Sequence, residues 1–378
     1  MPRQITSRLD ETDIDRIVSS IQNSRSAADA RKRETLLRKI IQLSGAPVIR
    51  GDEAHFFFES PIEGVIRAVG DWNGWKSIDK LERLSNHSRF YHLRKRFPID
   101  ARLAYRLTLD GQHSILDPFN PYSEEEVFGT NSVIRMPAYH SEVLAELPRP
   151  DVPLGRVREF EVPNQKNSVG NNFTRNVSVY LPADVRQPAK LPILYVHDGV
   201  QTITVGKFIH ILDNLFYSEP HIGKAIVVFV PPRERDKEYM LNESYASWIA
   251  HTLVPFVDAK LKLRPIYRGT LGSSLGGLLS AQLGFIYPKV FSHIAMQSPA
   301  LWVQNEKIVR SFKSVQKLPL RFFIHTGTIH DALDGSRKML RVLQEKGYPT
   351  IYRETNESHN WGNWRGTYAD VVRWFGEE

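Results

Sequence analysis

The chain has 378 residues, 41% of them hydrophobic and 24% charged, which is enough for two separate cores. It has no cysteine, so disulfides, thiol catalysis and cysteine-ligated metal are excluded, and a covalent nucleophile would have to be an oxygen. The formal charge is +8, yet no basic motif is interleaved with stacking aromatics; nucleic acid is therefore not an expected partner, and the charge suits anionic small molecules.

From the N-terminus, two amphipathic helices are expected over Glu11–Asn23 and Ala27–Leu43, the second with an apolar stripe of Leu36, Leu37, Ile40 and Ile41. Gly45-Ala46-Pro47 stops them, which makes residues 1–50 a helical extension holding ten Lys and Arg against six Asp and Glu. Asp10, Glu11, Asp13 and Asp15 stand where a signal peptide would carry its apolar core, and no eighteen-residue apolar run follows. The expectation is a cytoplasmic protein with no membrane partner.

Residues 51–145 read as short strands over Ala54–Glu59, Gly64–Gly70, Phe90–Phe97, Leu103–Leu109 and His113–Leu116. The turns Asp71-Trp72-Asn73-Gly74-Trp75 and Asp110-Gly111 complete the pattern of an immunoglobulin-like β-sandwich. Trp72 and Trp75 either stack on sugars, as in the glycogen- and starch-binding modules that this tract resembles, or pack within the turn; we expect packing. Glu142–Pro153, with three prolines, is the natural linker to a domain over residues 155–378.

That domain opens with the apolar strand Leu191–Val196, which ends in His197-Asp198-Gly199-Val200-Gln201. Gly199 permits a close backbone approach there, and an N–H of Val200 or Gln201 is placed to receive an oxyanion; alternatively Asp198 caps a helix from Val205 to Tyr217. The strand Ala225–Val230 leads to the rim segment Pro231–Tyr239, where Arg233 and Tyr239 are candidates to hold substrate. The competing reading pairs Arg233 and Arg235 with Glu234 and Asp236 on the surface.

Tyr267–Leu278 contains Gly272-Ser273-Ser274-Leu275-Gly276 between a strand-like and a helix-like run. Gly-x-Ser-x-Gly in that setting is a nucleophile elbow: the glycines let strand and helix crowd together, Ser274 is lifted out of the sheet, and the Leu275 N–H faces the developing oxyanion. The strand Leu320–Gly327 then opens into a loop bearing Asp331, the expected acid, with Asp334 as the alternative. After the short strand Thr350–Thr355 comes His359, the expected base, which completes the order Ser, acid, His. His325, His330, Asp331 and His359 lack metal-ligand spacing, so neither a metal nor another cofactor is expected.

These tracts, with Gln-Ser-Pro-Ala-Leu-Trp at 297–302, resemble the esterase D type of α/β hydrolases and, within it, the enterochelin (enterobactin) esterase branch. The resemblance runs from Gly155 to Glu378 and extends to the front of the chain, because that branch carries an N-terminal β-sandwich. It implies a doubly wound, mostly parallel sheet with Ser274 as nucleophile, His359 as base and the carboxylate at Asp331 as acid. Relatives often have Glu where His330 stands, so Asp331 follows by adjacency. Asp198, Gly199 and Trp302 join Arg233 and Tyr239 as candidate substrate contacts. The activity implied is hydrolysis of a small-molecule carboxylic ester through an acyl-enzyme, the substrate being the trilactone of an anionic catecholate siderophore. Two alternatives are an esterase of carbohydrate-linked acyl groups that docks through the sandwich and a non-catalytic hydrolase shell; oligomeric state is not legible.

Overall fold

The computed structural model describes residues 13–60, 63–76, 78–111, 113–140, 143–163, 174–185, 190–262 and 264–377. The expected starts at Glu11 and Glu142, and Asp10, lie outside the described residues. The chain forms two compact units, Met1–His140 and Ser141–Glu378.

The first unit begins with helices α1 (Asp13–Gln22) and α2 (Ala27–Ser44). Ala30, Glu34, Leu37 and Ile41 recur at three- and four-residue spacing on the buried face of α2, whereas Leu36, expected in that stripe, is exposed. The helices pack Ile14, Ile21, Leu37 and Ile41 into one cluster with Val48, Phe57 and Phe90 of the sheet. Glu34 is tolerated there because its carboxylate accepts from Ser88 Oγ, the Arg89 N–H and Arg38 Nη2.

Among the described residues nine strands follow: β1 (Val48–Arg50), β2 (Glu53–Glu59), β3 (Ile66–Gly70), β4 (Asp79–Arg83), β5 (Phe90–Arg96), β6 (Arg102–Leu109), β7 (His113–Ile115), β8 (Ser123–Glu126) and β9 (Gly129–Arg135). All pairings are antiparallel, in the order β1-β2-β5-β4-β3-β6-β9-β8, with β7 on β6. Trp72 lies in an aromatic cluster with Phe56, Phe97 and Tyr105, and its indole N–H donates to Asp79. Trp75 stays 42% exposed and donates to Asp71.

In the second unit, Leu144 and Ala145 of the tract expected as linker lie against an apolar cluster, and Asn214 donates to the carbonyls of Leu144 and Glu146. The strands are β10 (Arg156–Pro163), β11 (Thr174–Leu181), β12 (Ile193–His197), β13 (Ile226–Val230), β14 (Arg268–Ser273), β15 (His293–Gln297), β16 (Arg321–Gly327) and β17 (Thr350–Thr355). Their order is β10-β11-β13-β12-β14-β15-β16-β17; β10 and β11 are antiparallel to their neighbours and the rest are parallel.

The helices are α3 (Gly199–Thr204), α4 (Phe208–Ser218), α5 (Arg235–Tyr239), α6 (Glu243–Trp248), α7 (Val254–Leu261), α8 (Leu275–Ile286), α9 (Val303–Ser314), α10 (Leu333–Glu345), α11 (Trp361–Arg365) and α12 (Tyr368–Gly376). Helices cover both faces: Ile193 and Tyr195 of β12 join the core under α8 and α10, while Leu194 and Val196 join the core under α4, α11 and α12. The helix expected over Val205–Tyr217 is α4, which starts at Phe208, and the segment before it forms a separate short helix, α3. No described helix is long and apolar enough to cross a membrane.

Burial holds His92 down to about 3, with His55 and Arg94 adding to the shift; it likewise takes His197 to about 3 and His325 to about 4. The unfolded chain protonates these imidazoles below about pH 6.5 while the folded chain does not, so stability is complete above that pH and falls as the pH drops towards 3. Denaturant melts should show at least about 1 kcal/mol lost per pH unit between pH 6.5 and 4.5. A flat profile there would contradict the buried neutral imidazoles.

Candidate active site

β14 delivers Ser273 to the end of the sheet, and the chain reverses into α8 through Ser274 at φ 57° and ψ −120°. Positive φ is costly for serine. The reversal fits because a Cβ on Gly272 would meet the Gly276 backbone at 2.3 Å. Ser274 N–H donates to the Gln297 carbonyl, and the Ala300 N–H donates to the Ser274 carbonyl, so the turn is pinned to the end of β15.

His359 follows β17, as expected. Its Nε2 is 2.9 Å from Ser274 Oγ and its Nδ1 is 2.6 Å from Asp331 Oδ1. Asp331, and not Asp334, lies next to the imidazole; Asp334 is exposed in the first turn of α10. The Asp331 side chain is fully buried and that of His359 is 38% exposed. Burial pushes the Asp331 carboxyl upward, but hydrogen bonds from His359, Ser298 Oγ and the Gly327 N–H outweigh it and hold the group below its ordinary value. A buried anion thus faces a half-exposed imidazole that faces a hydroxyl. The loops carrying the two residues are joined, since Thr328 N–H donates to the Thr355 carbonyl and Ile329 N–H to that of Glu357.

At the end of β12, a Cβ on Gly199 would come within 2.7 Å of the Phe229 carbonyl carbon, so the turn there packs tightly on the end of β13. Val200 and Gln201 lie in the first turn of α3 and Leu275 is the first residue of α8, positions whose N–H groups lack acceptors within their helices. Asp198 makes no side-chain cap. Both its oxygens are held by Arg235, at 2.7 and 2.8 Å, and its N–H donates to the Tyr239 hydroxyl. This corrects two expectations: Arg235 pairs across to Asp198 and not with its own neighbours, while Glu234 pairs with Lys237. It also removes Tyr239 and Asp198 as open contact surfaces. Tyr239 is fully buried and Asp198 nearly so, their polar atoms spent on each other and on Arg235. Arg233 is exposed, with its N–H on Glu238, and Trp302 is 67% exposed.

His325 turns its Nε2 to Thr355 Oγ1, within the sheet. Among the described residues no group of three or more His, Cys, Asp or Glu is placed to hold a metal. Four residues to which the sequence reading gave no site role also shape the site: Arg235, Gln297, Ser298 and Trp364. Gln297 and Ser298 carried a signal, as polar residues ending an otherwise apolar strand at the carboxyl edge of a parallel sheet. Arg235 and Trp364 carried none.

An α/β sheet with this strand order, preceded by a unit built on an antiparallel sheet, is the architecture of an esterase-type hydrolase, and known proteins agree. The family model described as "Putative esterase" matches residues 168–375. The chain belongs to that Esterase family and is an ester hydrolase. The enterobactin esterase FES from Shigella flexneri, solved in the presence of enterobactin, superposes with a TM-score of 0.70 at 17% identity, covering 85% of this chain and 92% of that one. The ferric enterobactin esterase from Salmonella typhimurium gives 0.70 at 15% identity, covering 85% and 93%. A Bacillus subtilis (strain 168) relative, "Uncharacterized protein YjcH", is 27% identical over 220 residues, 53% of this chain and 91% of its own.

Gly272→Ala should cost about 3 kcal/mol or more, because neither backbone segment at the elbow can retreat. A denaturation midpoint equal to that of the wild type would show that the elbow is looser than its contacts imply.

Proposed function

We propose that the protein is a serine carboxylic-ester hydrolase that works through an acyl-enzyme. Ser274 Oγ attacks the ester carbonyl as His359 Nε2 takes its proton; Asp331 orients the imidazole and balances its charge. The N–H groups of Leu275 and of Val200 or Gln201 receive the oxyanion. His359 then gives its proton to the leaving alcohol, and water, deprotonated by the same imidazole, releases the acid. The single observation that carries this reading is the unbroken relay Ser274–His359–Asp331, at 2.9 and 2.6 Å. A non-catalytic shell would have no use for a buried carboxylate aimed at an imidazole that is aimed at a strained serine.

For substrate we infer an anionic catecholate siderophore lactone. The Shigella enzyme of the same fold was crystallised with enterobactin, and a chain of net charge +8 attracts an anionic ester. Arg233 and Trp302, both exposed, are the residues we assign to contact with a charged, aromatic acyl group. We further read residues 1–50 as a helical extension, 51–145 as an immunoglobulin-like sandwich and 155–378 as the catalytic domain. Support for the sandwich comes from β4, which pairs with both β3 and β5 and so links two antiparallel sheets.

Ser274→Ala should lower ester turnover by about 10⁴-fold or more with the fold intact. Asp331→Asn should cost less than that, and Asp334→Asn almost nothing, on 4-nitrophenyl esters. Undiminished turnover by Ser274→Ala would end the serine mechanism. A panel of short nitrophenyl, feruloyl, acetyl-sugar and catecholate trilactone esters should rank the trilactone highest in kcat/KM. Preference for an acetylated or feruloylated sugar would move the substrate to carbohydrate esters.

A further inference from the structure

The relay, if it works as proposed, needs Asp331 ionised and aimed, and one short tract does both. Ser298 Oγ lies 2.6 Å from Asp331 Oδ2 and 2.9 Å from the indole nitrogen of Trp364. An indole N–H can only donate, so the Ser298 oxygen accepts from Trp364 and its one proton is left for Asp331. Ser298 is completely buried and Trp364 is 6% exposed, so water does not compete for either bond. Ser298 holds a φ of 43°, a costly conformation for a residue with a side chain, and its N–H is tied to the His325 carbonyl. The Trp364 ring also stands edge-to-face with His359, centroids 5.1 Å apart at 87°.

The neighbouring Gln297 locks this tract to the nucleophile. Its carbonyl accepts the Ser274 N–H and its amide oxygen accepts the Ser273 hydroxyl. Its amide nitrogen donates to the Trp364 carbonyl and to Thr367 Oγ1. Two consecutive residues at the end of β15 therefore touch the elbow, the acid and the helix that packs on the base.

We propose that Ser298 and Trp364 are positioning residues for catalysis: Trp364 fixes the hydroxyl rotor of Ser298, and Ser298 keeps Asp331 ionised and turned to His359. The inference rests on the serine-hydrolase reading and adds two residues to it. Both act through Asp331, so their effects vanish once Asp331 no longer carries its charge. A packing role would persist in that background.

The test is a double-mutant cycle on a 4-nitrophenyl ester, using Ser298→Ala and Trp364→Phe alone and combined with Asp331→Asn, with Ser274→Ala as reference. Losing a hydrogen bond to a buried charge should lower kcat by about 10- to 100-fold in Ser298→Ala, with KM within about threefold. Trp364→Phe keeps the ring and removes only the N–H, so it should fold even if Ser298→Ala does not, and should lower kcat by about 3- to 30-fold. Each loss should shrink below about twofold in the Asp331→Asn background. Wild-type kcat in the single variants, or losses that persist undiminished with Asp331→Asn, would overturn the proposal while a Ser274-dependent wild type left the hydrolase reading standing. A wild type whose turnover survived Ser274→Ala would remove the relay and the inference with it.

Discussion

The site depends on one backbone residue held where a serine does not rest freely. Ser274 at φ 57° and ψ −120° costs of the order of 1–3 kcal/mol. The conformation persists because both sides of it are over-determined. β14 is paired along its length with β12 and β15, α8 starts without a spacer, and the Gly272–Gly276 contact leaves no room for a wider turn. The Gln297 carbonyl and the Ala300 N–H grip the Ser274 peptide groups from the next strand. From that geometry the rest follows: the hydroxyl projects at the sheet edge, and the only useful place for a base is at hydrogen-bond distance beyond it.

The sheet order explains why base and acid reach that place. β12, β14, β15, β16 and β17 run parallel and adjacent, so their carboxyl ends form one edge, and each end contributes a part: the Gly199 turn, Ser274, Gln297-Ser298, Asp331 and His359. A row of polar residues crosses the otherwise apolar sheet just beneath. Ser273 is opposite Gln297, Gln297 is opposite His325, and His325 reaches Thr355, which in turn donates to Asn363. Each of these side chains makes at least one hydrogen bond, although His325 Nδ1 is buried without one, and the row ties the ends of successive strands to each other.

Much of the site is written in local sequence, because Gly-x-Ser-x-Gly, the loop after Gly327 and the loop after Thr355 are each specified by a strand followed by a break. Adjacency to His330, where relatives often have Glu, ranked Asp331 above Asp334; their separation in space depends on α10 beginning at Leu333, which exposes Asp334 on the first turn. The fate of Tyr239 was not legible. A tyrosine on a rim segment reads as a contact residue until Asp198, forty-one positions earlier, is seen to donate to its hydroxyl. Long-range pairs such as Arg235–Asp198 leave no mark in a run of alternating charges. In the sheet of the first unit, the strands rich in Phe, Tyr and Leu were readable, whereas β4 (Asp-Lys-Leu-Glu-Arg) and β8 (Ser-Glu-Glu-Glu) were not: their residues are mostly solvated and carry little hydrophobic alternation.

The central claim is that Ser274 becomes covalently acylated, and a mass measurement tests it most directly. The protein would be mixed with a nitrophenyl phosphonate, an ester reagent that serine hydrolases do not turn over, and then digested for peptide mapping. The account predicts one phosphonyl group per chain, on Ser274, with ester turnover lost in proportion to labelling. Full labelling of Ser274 with turnover intact, or turnover lost with the label on another residue, would contradict it.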